Sequence, residues 1–190
     1  MIKNTIILSS SSEARKNLLT SLKVSFEVFA PEVDETPNKN ESPQKFVRRI
    51  SLLKAQAANA SFKENFIIAA DTILYARKTF FHKTEDENIA YENLQLLSGR
   101  RHSIYTGLTT IDKKNKMNFF LTTTKVKFRV LTNDDIKKYL LSKEWRNKTG
   151  SYAIQGFGAS FVNFLSGSYS GAVGLPLDKV YYVLKANKLI

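Results

Sequence analysis

The chain has no cysteine. Disulfides, thiolate nucleophiles, zinc fingers and iron–sulfur ligation are excluded with it. Histidine is almost as scarce: His82 and His102 are the only two, too few and too far apart for a multi-histidine metal site. No apolar run approaches the ~20 residues that a membrane span requires. The longest apolar run of the opening, MIKNTIILSSSSEARKN, is three residues, shorter than the core of a secretory signal. These absences lead us to expect a cytoplasmic protein with no membrane partner. What is present is ordinary for a globular chain, with 43% hydrophobic and 24% charged residues. The 190 residues suit a single domain over 1–190. A chain of that length buries roughly 70% of its extended surface and needs no covalent staple.

Acidic residues are under-represented, and the formal net charge is +12. Residues 76–150 carry 16 basic and 8 acidic side chains, so most of the excess lies there. A field of that sign attracts polyanions, whether nucleic acid or small phosphates. No run of five like charges, basic tail, helix-turn-helix pattern or RNA-binding aromatic signature accompanies it. A lysine-rich solvated surface therefore explains the charge better than a nucleic-acid partner.

The periodicity predicts alternating strands and helices. Thr5–Leu8 reads as a short buried strand running into four serines and a helix with Leu18, Leu19 and Leu22 on one face, capped by Ser12. Ser25–Phe29 reads as a strand, and Ala30–Ser42 as a polar loop. Ser42-Pro43 starts a second helix with Phe46, Ile50, Leu53 and Ala57 at helical spacing. Phe66–Ala70 is an unbroken apolar run, expected to be a strand buried on both faces and ending at Asp71-Thr72. Thr84 to Glu87 has capping-box spacing for a helix reaching Leu97. His102–Thr110 and Asn118–Leu131 read as a hairpin around Asp112–Lys116, followed by a capped helix over Thr132–Leu141 and a last helix over Leu177–Lys185. The expected fold class is mixed α/β, a mixed sheet flanked by helices.

Six of the eight glycines fall between Gly150 and Gly174, a segment without a carboxylate. It can supply backbone groups, hydroxyls and Gln155, but no general base. It matches neither GxxxxGK[ST] nor GxGxxG.

Four groups could carry chemistry. Ser9–Lys16 (SSSSEARK) brings hydroxyls and Arg15 to a helix start, where free amides and the dipole favour an anion. An ordinary capped helix start gives the same pattern. Asp71, after a buried strand, could bind a divalent metal or activate water, or simply begin a turn. Glu32, Asp34 and Glu35 could ligate Mg²⁺ or be a solvated acidic loop. Lys54, Lys83 and the turn Arg100-Arg101-His102 read most simply as surface basic residues.

Taken in order, these segments resemble one family. LSSSSEARKNLL (Leu8–Leu19) resembles the opening LASxSPRRxxLL of the Maf family of nucleoside triphosphate pyrophosphatases. Val33-Asp34-Glu35 resembles its VDE, Arg49-Ile50 to Lys54-Ala55 its RL-x-x-x-KA, and Ala70-Asp71-Thr72 its ADT. His82-Lys83-Thr84 takes the place of its GKP, and Leu97 to His102 resembles LSGRxH. GSYAIQG (Gly150–Gly156) and GSYSGAVGLPL (Gly167–Leu177) resemble its closing motifs.

The resemblance implies two lobes around a deep cleft, similar to inosine triphosphate pyrophosphatases. It also implies a cytoplasmic enzyme, often a homodimer, that uses Mg²⁺ or Mn²⁺ to split a nucleoside triphosphate into monophosphate and pyrophosphate. By the matching positions, Ser10, Ser12, Arg15, Lys54 and Lys83 would hold phosphates. Glu35 and Asp71 would hold the metal, and Asp71 would activate water. Thr72 and Gln155 match the branch acting on dTTP and UTP, 5-modified uridine triphosphates included, rather than the 7-methyl-GTP branch. Ala14 stands where that family has arginine. A binding protein weakened at Ala14 and a basic nucleic-acid module are the rival expectations.

Overall fold

The apolar runs at Ile6 and Phe66 become two interior strands of one sheet, because each is buried on both faces. The computed structural model of the protein describes residues 5–190. In chain order the elements are β1 (Ile6–Ser9), α1 (Glu13–Thr20), β2 (Phe26–Phe29), α2 (Pro43–Ser61), β3 (Phe66–Ala76), β4 (Thr79–Phe81), α3 (Glu87–Leu97), β5 (Arg101–Ile111), β6 (Met117–Phe128), α4 (Asn133–Leu141), β7 (Val162–Ser166), α5 (Tyr169–Val173) and α6 (Leu177–Ala186). Short 3-10 turns occupy Thr149–Ser151 and Phe157–Phe161. The seven-stranded sheet runs β2-β1-β3-β5-β6-β7, with β4 paired to β3. β1 is parallel to β2 and β3, whereas the β3–β4 and β6–β7 pairs are antiparallel. The sheet is therefore mixed and flanked by helices, as the alternation predicts.

The chain folds as two compact units. One comprises the residues up to Asp71, Thr106–Thr122 and Gly174–Ile190; the other comprises Thr72–Tyr105 and Thr123–Val173. In the first unit, Ile7, Ile67 and Ala69 cluster with Ala55 and Ala58 of α2. Ile6, Leu8, Phe66 and Ile68 cluster with Leu19 of α1 and with Val180, Val183 and Leu184 of α6. Alternate side chains of one strand thus meet helices on opposite faces, which a continuous apolar run requires. Ser42 caps α2, accepting the Lys45 N–H at 3.4 Å, and Pro43 opens it. In the second unit, α3 and α4 pack Leu94, Leu97, Ile136 and Tyr139 with Leu74, Ile104, Val126 and Phe128 of the strands. Among the described residues no helix is long and apolar enough to cross a membrane.

Several expectations need correction. β3 does not stop at Asp71-Thr72; it continues to Ala76, because Leu74 to Ala76 pair with Thr79 to Phe81 of β4. The cap of α3 is Asp86, which accepts the Asn88 and Ile89 N–H groups, while Thr84 Oγ accepts the Asp86 N–H one turn earlier. Leu53 is 37% exposed, and the α2 core face uses Val47 and Ala58 instead. β6 ends at Phe128, three residues short of the expected Leu131. The glycine-rich segment, to which the periodicity assigns no element, contains β7 and α5.

Candidate active site

In the first unit the site is built where β1 stops. β1 ends at Ser9, which is opposite Ala69 of the parallel strand β3. Asp71 lies two residues further along β3, so it projects beyond the carboxyl end of β1 although it is not at the end of its own strand. Positions beyond the carboxyl ends of parallel strands are where ligands of open sheets bind. The Ser9 hydroxyl faces the other way in chemistry: it donates to the Lys54 carbonyl at 2.9 Å and so ties the end of β1 to α2.

After Ser9 the chain turns into α1. Ser12 caps the helix, its Oγ accepting the Arg15 N–H at 3.5 Å, as its position predicts. Ser10 Oγ accepts from the Ser12 N–H and from Arg15 Nη1, both at 3.2 Å. Arg15 is buried, and its Nε donates to the Gly174 carbonyl at 2.8 Å. Gly174 has φ of 136°, in the range open to glycine and strained for any other residue, which accounts for a glycine at this contact.

Lys54 is not a surface lysine. It is 8% exposed, and its Nζ lies 2.9 Å from Asp71 Oδ1 and 2.6 Å from Glu35 Oε1. Glu35 reaches it because the loop before α2 is fastened from α2 itself. Arg49 makes a two-pronged contact with Glu41, 2.8 Å from Nε and 2.7 Å from Nη2, and Nη2 also donates to the Thr36 carbonyl at 2.9 Å. Asp34 is spent on that loop, its Oδ1 accepting the Thr36 N–H at 2.8 Å. Of the acidic trio, Glu35 is the one that joins the cluster; Glu32 is exposed.

Two carboxylates and two cations therefore share one partly dry place. Burial pushes the Asp71 carboxyl above the usual range, and Lys54 and Arg15 hold it back. Burial pulls the Arg15 guanidinium down, and Asp71 and Glu35 oppose that shift. A carboxylate more basic than usual, beside fixed positive charge, can accept a proton from water while the cations bind an anion.

The donor set fits a magnesium-like ion. Glu35 and Asp71 converge on a single point, occupied by the Lys54 ammonium, and only one Asp71 oxygen is engaged there. No group of three or more His, Cys, Asp or Glu side chains suited to a metal occurs among the described residues. Mg²⁺ needs no such cage, since it is usually held by one or two carboxylates, waters and substrate phosphates.

The other motif residues belong to the second unit. Thr72 follows Asp71 on β3 and is half-buried; Lys83 is exposed just after β4. Gln155 is exposed in a turn closed by the Gly156 N–H and the Ala153 carbonyl at 3.1 Å. His102, read as part of a basic turn, is instead 3% exposed inside the core, with Nε2 2.7 Å from the Tyr152 hydroxyl. Its burial holds the imidazole pKa down at about 4. Sequence reasoning missed Glu41 as the anchor of the Glu35 loop and Ser9 as the tie to α2. Neither carries a local signal, since the partners are 8 and 45 residues away.

A family model described as "Maf-like protein" matches residues 5–187. A Rhizobium etli protein named dTTP/UTP pyrophosphatase is 37% identical, covering 96% of this chain and 92% of that protein. A Bacillus cereus protein of the same name is 40% identical over 95% and 94% of the two chains. A solved nucleoside-triphosphatase / dITP/XTP pyrophosphatase from Mycobacterium abscessus is 13% identical, with a TM-score of 0.42 over 65% of this chain and 74% of that one. With the motifs in order along nearly the whole described chain and a family match of the same extent, this protein belongs to the Maf family.

Proposed function

We propose that this protein hydrolyses dTTP and UTP, with 5-modified uridine triphosphates as further substrates, to the monophosphate and pyrophosphate. The observation that carries the reading is the cluster beyond the end of β1, in which buried Arg15, Lys54 and Asp71 are joined by the more exposed Glu35. Arg15 and Lys54 supply positive charge for the phosphates, with Ser10 and Ser12 at the start of α1. Asp71, made more basic by burial, takes the proton of the attacking water. The bond between the α and β phosphates breaks, and pyrophosphate leaves with its electron pair. Such a reaction depends on positioning and charge neutralisation more than on covalent catalysis.

Glu35 and Asp71 are the residues that would hold Mg²⁺ or Mn²⁺. A divalent ion supplies charge neutralisation to a triphosphate when bound. Lys83 is assigned to phosphate, and Thr72 and Gln155 to the base, on their motif matches. A Gln amide offers a donor and an acceptor, which suits the alternating imide edge of uracil or thymine. The names of the relatives support the same pyrimidine preference. With this reading go a cytoplasmic setting and a homodimer, the latter tested by sedimentation of the purified protein. A screen of nucleoside triphosphates with Mg²⁺ and Mn²⁺, detecting pyrophosphate, tests the whole. Preference for 7-methyl-GTP over dTTP and UTP would overturn the base assignment.

A further inference from the structure

The second unit contains one buried polar pair that packing does not require. His102 is 3% exposed and Tyr152 is 5% exposed. Both stand among apolar side chains; Tyr152 packs with Phe128, Phe161 and Ile154, and the His102 ring meets Phe128 edge-on at 5.0 Å. The one hydrogen bond between them, Nε2 to hydroxyl at 2.7 Å, is what offsets burying either polar group. The other imidazole nitrogen, Nδ1, is buried with no hydrogen-bond partner among the described residues. Two phenylalanines would fill this space at no such penalty. The pair therefore fixes an orientation rather than filling a volume.

What it orients is the segment that presents Gln155. Just before Tyr152, Gly150 and Ser151 both have positive φ, 72° and 59°, and the second is a conformation that an L residue adopts reluctantly. Ser151 is held there by Asn93 of α3, whose Nδ2 donates to its Oγ at 2.9 Å. His102 of β5 holds Tyr152. Tyr139 of α4 holds Ala153, its hydroxyl accepting the Ala153 N–H at 2.9 Å. Beyond the turn, Glu144 accepts the Phe157 N–H at 2.7 Å. Three consecutive residues are pinned by three elements, a fourth contact closes the far side, and Gln155 between them is exposed.

We propose that the His102–Tyr152 hydrogen bond is a positioning contact that sets the aim of Gln155, and that selection among nucleobases depends on it. The proposal rests on the reading of Gln155 as the base-recognising residue. An amide that must match a donor–acceptor pattern discriminates only if its direction is fixed, because a loose amide rotates to suit other edges. Displacement of a positioning group by about 1 Å can cost up to ~10²-fold in rate.

The test compares kcat/KM for dTTP and for GTP in the wild type, Tyr152→Phe, Gln155→Ala and the double variant. His102→Phe, which keeps the aromatic packing, is a fifth protein. Binding of the same two nucleotides without divalent cation is titrated in parallel, so selectivity is read whether or not turnover occurs. Tyr152→Phe removes one oxygen and keeps the ring. We expect it to reduce the dTTP:GTP selectivity about tenfold with the melting curve still cooperative. His102→Phe should do the same, and Tyr152→Phe should change nothing further once Gln155 is alanine. A folded Tyr152→Phe protein with wild-type selectivity in both readouts overturns the positioning role. So does an equal selectivity loss in the Gln155→Ala background, which would show that the hydroxyl acts without Gln155. Wild-type selectivity in Gln155→Ala itself removes the base-reading assignment, and the positioning role with it.

Discussion

Lys54→Met keeps most of the aliphatic stem and deletes the ammonium that Asp71 and Glu35 share. Removing one member of a buried ion pair costs about 3–5 kcal/mol, because the other charge is left behind in a dry place. Glu35 adds little to that sum, since its side chain is 47% exposed and can turn to water. Arg15 still faces Asp71 and partly neutralises it. The lower end, about 3 kcal/mol, is therefore expected. For a chain of this size that corresponds to roughly 6–12 °C in Tm. Neutralising the orphaned charge should recover most of the loss, so Lys54→Met/Asp71→Asn should be more stable than Lys54→Met, with a coupling of about 2 kcal/mol. Urea and thermal unfolding of the four proteins in the cycle measure both quantities. A Lys54→Met protein within about 2 °C of the wild type, or a double variant no more stable than Lys54→Met, refutes a buried shared charge at this point.

Asp71→Asn is near-isosteric and leaves Lys54 with Glu35, so the fold should survive while turnover falls roughly 10²–10⁴-fold; near-normal turnover by the folded variant removes Asp71 from the chemistry. Ala14→Arg restores the cation that the family motif carries at this position, and KM for dTTP should fall about tenfold, the worth of one charge-assisted hydrogen bond; an unchanged KM shows that position 14 does not meet the phosphates. His102 makes stability fall with pH in a defined window. Unfolded, it takes a proton near 6.5; folded, it resists until about 4. The unfolded chain thus binds the extra proton between those values, and about 3 kcal/mol of stability is lost on going from pH 7 to pH 4. Denaturant titrations at both pH values should show that loss and its disappearance in His102→Phe. Asp135, whose carboxyl the Arg129 guanidinium holds well below its usual range, loses its contribution only at lower pH, as its unfolded value of 3.8 is approached and passed.

Local patterns carried the fold furthest. The runs at Ile6 and Phe66 announced strands buried on both faces, and Ser12, Ser42-Pro43 and Thr132 marked helix starts that the structure keeps. The misreadings are of one kind: a neighbour distant in sequence decided the outcome. β3 runs past Asp71 because β4 folds back on it, and polarity alone suggested an end. β7 was hidden because Val162–Ser166 is short, lies among glycines, and gains its strand character from pairing with β6. Residue type alone could not tell a surface lysine from Lys54, whose ammonium lies between Asp71 of β3 and the Glu35 loop, or place His102 in a core rather than a basic turn. Ordered motif resemblance named Lys54, Glu35 and Asp71 individually; the fold adds that Lys54 pairs with both carboxylates.

The central claim is tested most directly by the products formed from dTTP. Phosphorus NMR and chromatography of dTTP incubated with the purified protein and Mg²⁺ or Mn²⁺ separate the two ways of cutting a triphosphate. The account predicts dTMP and pyrophosphate in equal amounts, with Asp71→Asn slowing both together. Release of orthophosphate with dTDP, or no product from dTTP and UTP while 7-methyl-GTP is cleaved, would contradict it.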